Sequence, residues 1–257
     1  MKQRFSLAYA VPWLLLAFLS VRAAAQNQGK PTADAEEASF RVLNSFGVTT
    51  NTNSGIIGGL VFRQAKALTS RERPRFRYLS AELVNVKHPK ERAYAASSGN
   101  RLILGKQRYL FALRGQWGRE MTLFERSDDG GVQFNGILAA GPTLGLLKPY
   151  YVQVVNLRGP RQVHEVPYSP ELEQSSSVAI VGGGSLFRGF NRIELVPGLN
   201  AKIAASIELD AFRHNTIGLE IGFLVEGYTK DIILIPETTN RNVFTSGFLT
   251  LYFGQKK

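Results

Sequence analysis

The chain has 257 residues, 44% of them apolar and 20% charged, with no cysteine and a net charge of +11. The missing thiols exclude a disulfide framework, thiolate catalysis and thiolate metal sites. The positive charge would suit a nucleic-acid partner, but the basic residues are scattered and the chain begins like an exported protein, so anionic lipid or lipopolysaccharide headgroups are the expected counter-charges and no nucleic acid is expected.

Taken in chain order, Lys2 and Arg4 precede an apolar run from Leu7 to Val21, and Ala23-Ala24-Ala25 supplies small residues before Gln26. This reads as a cleavable secretory signal over 1–25. The run is interrupted by Pro12 and Ser20 and is short for a bilayer span of about 20 residues. Residues 26–38, with Pro31, Asp34, Glu36, Glu37 and almost nothing apolar, read as a flexible lead-in. No later segment offers the roughly 18 consecutive apolar residues of a spanning helix. A mature protein that lives in a membrane must therefore cross it as a closed barrel, the other structure that satisfies its own backbone hydrogen bonds in lipid.

Residues 39–257 read as one such domain. Short alternating runs predict strands at Val42–Thr50, Gly55–Gln64, Arg75–Val86, Lys106–Gly118, Gly131–Leu147, Leu199–Asp210, Thr216–Thr229 and Phe244–Gly254. Leu199, Ala201, Ile203, Ala205, Ile207 and Leu209 interleave with Asn200, Lys202, Ala204, Ser206 and Glu208, a period of two. The fold class is all-β, a closed antiparallel transmembrane β-barrel of about eight strands.

Alternation alone does not say which face is inside, since a soluble barrel would carry the same strands reversed. Residue size and charge decide. One face carries Arg63, Glu82, Arg108, Arg114, Lys202, Glu208, Glu220 and Glu226, four of each sign, with Gly59, Gly218 and Gly222 leaving room. These read as a self-neutralising lumen network. The other face carries Trp, Phe, Tyr, Leu and Ile, as a lipid-facing band requires. With the amino terminus in the periplasm, the connections after the first, third, fifth and seventh strands lie outside. They include 87–105 and the long loop 148–198, whereas the inner ones are short. Leu249, Leu251 and Phe253 alternate near the end of the closing strand, although Gly254-Gln255-Lys256-Lys257 follows.

Glu82 followed by Lys87-His88-Pro89-Lys90-Glu91, the aromatic strand after Gly105-Lys106, Gly141 to Gly145 leading into Lys148-Pro149-Tyr150, and Val196-Pro197-Gly198-Leu199 give the chain a resemblance. From Phe46 to Phe253 it resembles a family of small Bacteroidota-type outer-membrane β-barrel proteins, most of whose members have no assigned activity. The resemblance implies a membrane barrel and carries over no catalytic residue.

Candidate sites are few. His88, His164 and His214 fall in two outer loops and an inner turn, the wrong distribution for a shared metal site. His88, Glu91, Ser97 and Ser98 form a nucleophile-and-base set only if a scaffold aligns them, and one solvated polar loop is the plainer reading. Gly182-Gly183-Gly184-Ser185 lacks the lysine and the helix of a phosphate loop and reads as a flexible loop. Lys87, Lys90, Arg92 and Arg101 could meet lipopolysaccharide phosphates or form an ordinary solvated loop. The loop 148–198 reads as a partner-binding lid or a barrel plug, against strands extended beyond the membrane. No catalytic residue and no cofactor is expected. The leading expectation is an outer-membrane barrel with a structural or interaction role, with partners among outer-membrane lipid, lipopolysaccharide and a protein met through the outer loops, as in an accessory subunit of a surface or secretion complex. The alternatives are a narrow passage for small solutes and an outer-membrane lipid hydrolase.

Overall fold

The structure, a computed structural model, describes residues 42–55, 57–68, 75–96, 99–124, 132–212 and 215–256. The signal sequence 1–25 and the lead-in 26–38 lie outside the described residues.

The strands follow in chain order: β1 Val42–Asn51, β2 Gly59–Leu68, β3 Arg75–Val86, β4 Ala93–Ala95, β5 Arg101–Ile103, β6 Arg108–Phe124, β7 Val132–Pro149, β8 Tyr151–Asn156, β9 Val163–Pro167, β10 Val178–Gly183, β11 Glu194–Phe212, β12 Asn215–Ile232 and β13 Arg241–Lys256. A short helix α1, Pro170–Gln174, precedes β10, and a single 3-10 turn, Phe190–Arg192, precedes β11. Eight long strands close into an antiparallel barrel in the order β1-β13-β12-β11-β7-β6-β3-β2. First and last strands meet from Leu43 opposite Lys256 to Asn51 opposite Phe248, so the barrel has no free edge.

Each predicted strand is present, but β2 is shifted to Gly59–Leu68 and several others reach further than the sequence reading placed them, β6 and β11 the most. β6 continues past Gly118 to Phe124, which narrows the turn expected at 119–130. β11 begins at Glu194, five residues before Leu199. Pro197-Gly198 looked like a strand boundary because proline lacks a ladder donor. On the β12 side, however, pairing starts only at Gly198 opposite Tyr228, so no partner there requires the missing N–H.

The two faces are inverted relative to a soluble protein. Trp117 is 69% exposed and Phe223 73%, with Leu60, Leu138, Leu199, Ile203 and Phe253 also open on the outer wall. Arg63, Glu120, Lys202 and Glu220 alternate with such residues and are buried. Apolar outside and charged inside is the distribution of a transmembrane barrel.

The long connection 150–193 is not a loop. It folds into a three-stranded sheet ordered β10-β8-β9, to which α1 and the β4–β5 hairpin are attached. Tyr150, Val152, Val154 and Tyr168 form its buried core, with Leu102, Ile103 and Ile180 packed against them. The hairpin is pinned at Ile103, whose N–H donates to the Tyr150 hydroxyl at 3.1 Å. Single-sequence periodicity misses this platform because its strands are five or six residues long and its core joins residues distant in the chain.

Candidate functional site

Alternation in β2, β3, β6, β11 and β12 aims one charged side chain after another into the barrel. There they form a single linked chain. Arg63 meets Glu120 at 2.9 Å, Glu220 at 3.4 Å and Glu208 at 3.5 Å. Lys202 joins Glu220 at 2.8 Å to Glu82 at 3.0 Å. Arg114 then links Glu82 at 3.5 Å to Glu226 at 2.8 Å.

Five carboxylates thus face three cations, and neutral donors carry part of the load. Tyr252 donates its hydroxyl to Glu208 at 2.9 Å, and Asn135 donates its amide to Glu120 at 3.0 Å. The Lys202 ammonium also donates to the Tyr78 hydroxyl at 2.8 Å, and the Arg63 guanidinium lies 4.1 Å over the Tyr252 ring. Charges this deep persist only when they are paired and hydrogen-bonded together.

Arg63, Glu82, Arg114, Lys202, Glu208, Glu220 and Glu226 stand in this chain, and Arg108 does not. Arg108 lies on the inward face but at the rim, half exposed, where it meets Glu194, and Glu194 also pairs with Lys230. The sequence reading missed Glu120 because it ended the strand at Gly118. One more member of the same inward series, after Arg114, Gln116 and Gly118, would have reached it.

Further polar and apolar side chains fill the lumen beside this chain. Ser80 donates to Gln116 at 2.7 Å, Gln116 to Asn200 at 3.0 Å, and Asn200 to Thr143 at 2.8 Å. Toward the long connections, Val86, Leu110, Leu147, Val196, Ile232 and Leu234 form a buried apolar cap. Leu234 comes from the β12–β13 connection, whose backbone is held by the Gln107 N–H donating to the Leu234 carbonyl at 2.8 Å. At the short-turn end Leu43, Ala65 and Phe76 pack together.

Beyond the cap, a pocket of about 600 Å³ opens between the hairpin and the platform sheet, lined by Lys87, Asn100, Arg101, Tyr109, Gln153 and Glu165 among others. Of the four basic residues singled out for phosphate contact, Lys87 and Arg101 face this pocket. Lys90 and Arg92 stand exposed on the connection without lining it. The buried cation here is Lys106, which the sequence reading placed in a strand. Its ammonium meets Glu91 at 2.6 Å and lies 4.2 Å over the Tyr109 ring. Burial pulls the Lys106 pKa below the usual lysine range, and Glu91 opposes that shift.

The glycine run is not a flexible loop. Gly182 and Gly183 end β10, and a Cβ at Gly183 would fall 2.1 Å from the Arg101 carbonyl oxygen, so the glycine permits the hairpin to approach. His88 accepts the Lys90 N–H on Nδ1 at 3.2 Å, while its Nε2 lies 3.5 Å from the Thr238 hydroxyl. Glu91 holds the His88 backbone N–H and Lys106 rather than the imidazole. His164 is exposed in β9. Ser97, Ser98 and His214 lie outside the described residues. Among the described residues, therefore, no serine is set against a histidine.

Fold and faces together define a small transmembrane β-barrel with a filled ionic lumen and a folded platform at its long-connection end. No family model and no curated protein matches the chain, so the resemblance to the Bacteroidota-type family stays an expectation of the sequence. Among solved structures the chain is similar to the crystal structure of Neisserial surface protein A, at 11% identity and a TM-score of 0.35, covering 84% of this chain and 96% of that one. At that level the likeness transfers no residue and no role.

Proposed function

We propose that this chain is an outer-membrane barrel with a structural or interaction role, which holds its platform at the cell surface for a protein partner as an accessory subunit of a surface or secretion complex does. The observation that carries this reading is the lumen. A linked chain of eight buried charged side chains crosses it, under an apolar cap toward the long connections. A passage for solutes would have to break several of those pairs, whereas an anchor benefits from their rigidity. What remains for function is the platform and its pocket.

The absence of cysteine permits a direct test of location and orientation. Gly159→Cys, at a position with nothing within 4 Å of an added Cβ, should react with a membrane-impermeant maleimide on intact cells. Gln255→Cys, exposed at the short-turn end, should react only after the outer membrane is permeabilised. Labelling of Gln255→Cys alone on intact cells would reverse the orientation and remove the surface role.

A further inference from the structure

The segment between β10 and β11 lies against the outside of the barrel wall, and one lysine shows it. In β7, Leu147 points inward, so Lys148 points out, yet Lys148 is buried. What covers it is this segment. Its ammonium donates to the Arg188 carbonyl at 2.7 Å and lies 5.4 Å from the Phe190 ring and 5.2 Å from the ring of Tyr109 on β6.

Phe190 and its neighbour Phe187 are exposed there, Phe187 at 87%. Directly along β11 follow Leu195 and Leu199, and beside them on β7 come Leu146 and Leu144, so the exposed phenylalanines continue the lipid-facing band at its upper margin. The charges on and against this segment are Arg188 and Arg192, with Glu165 held by Arg188 at 3.3 Å and Arg192 exposed.

We infer that Phe187–Arg192 is a membrane-interface anchor: the two phenylalanine rings enter the headgroup boundary and Arg192, with Arg188, meets anionic lipid phosphate. Aromatic rings gather at that depth, and arginine forks match phosphate oxygens. The occupant is the lipid surface, because the patch is continuous with the lipid-facing wall and its charge is opposite to that of anionic headgroups. The anchor would fix the platform's tilt over the bilayer. This inference rests on the membrane-barrel reading, and its test separates the two.

Single cysteines at Phe187, Phe223 and Val163, all exposed positions, would each carry an environment-sensitive nitrobenzoxadiazole label in the full chain, refolded into vesicles of phosphatidylethanolamine and phosphatidylglycerol. Phe223, in the middle of the wall, reports on the barrel. Val163, on β9, reports on the platform. Shallow spin-labelled lipid should quench position 187 and deep spin-labelled lipid position 223, and aqueous iodide should quench 163 alone. Iodide quenching at 187 with lipid quenching at 223 would overturn the anchor and leave the barrel. Iodide quenching at 223 would overturn the barrel itself. A 187 label shielded from both quenchers in proportion to protein concentration would assign the patch to a second copy and overturn the lipid contact. Arg192→Gln should lower the preference for phosphatidylglycerol over phosphatidylethanolamine around the 187 label by about fivefold. An unchanged preference would overturn the phosphate contact.

Discussion

Arg63 touches three carboxylates and two aromatic faces from a position with no exposed surface, and among the described residues no other lumen cation meets three carboxylates. Arg63→Met leaves Glu120, Glu208 and Glu220 without their common counter-charge, and removing one side of a buried ionic cluster costs about 3–5 kcal/mol. Arg108→Met removes a half-exposed rim pair and should cost no more than about 1 kcal/mol. Urea unfolding of the barrel in lipid vesicles distinguishes the two, and equal midpoints would contradict the placement of Arg108 outside the network. Adding Glu120→Gln to Arg63→Met should recover part of the loss. Gly218 is a second point of tension, since a Cβ there would fall 2.1 Å from the Tyr252 ring. Gly218→Ala should therefore cost about 1–3 kcal/mol by overpacking, and should displace the hydroxyl that supports Glu208. Seven of the lumen residues could be read from alternation alone. Glu120 was lost only because the strand was ended at Gly118, whereas the rim position of Arg108 could not be read, because parity fixes the face of a side chain but not its depth along the strand.

Among the elements, β12 shows most simply what the sequence discloses. Ile217, Leu219, Ile221, Phe223 and Val225 face out, and Thr216, Gly218, Glu220, Leu224 and Glu226 face in. Ile221→Lys would put an unpaired charge against hydrocarbon at a cost of about 2–4 kcal/mol. Glu220→Gln keeps the side chain's shape and removes one of five carboxylates set against three cations, so it should be the milder change. A larger folding defect from Glu220→Gln, measured by heat-modifiable gel migration, would contradict the assigned faces. The platform was hidden for the opposite reason: β4, β5, β8, β9 and β10 are too short to show a period, and the hairpin docks through contacts between residues distant in the chain, namely Leu102 and Ile103 on the platform core, the Ile103 N–H bond to Tyr150 and the close backbone approach at Gly183. Gly183→Val should accordingly detach the hairpin, seen as new protease cleavage between Ala93 and Ile103, while the barrel keeps its unfolding midpoint. Loss of barrel stability instead would show that platform and wall fold as one unit.

At the scale of the whole molecule, eight strands enclose a space about wide enough for side chains to fill, and open aqueous channels generally require many more. Here that space holds the ionic chain and, toward the long connections, an apolar cap that includes Leu234, folded in from the β12–β13 connection. The proposed anchoring role therefore requires a closed lumen. The direct measurement is single-channel recording of the purified full-length protein in planar bilayers, with the same preparation checked for rapid sugar uptake in vesicles. A closed lumen predicts no large, stable conductance and no uptake. A steady porin-like conductance that disappears when the barrel is unfolded would contradict it.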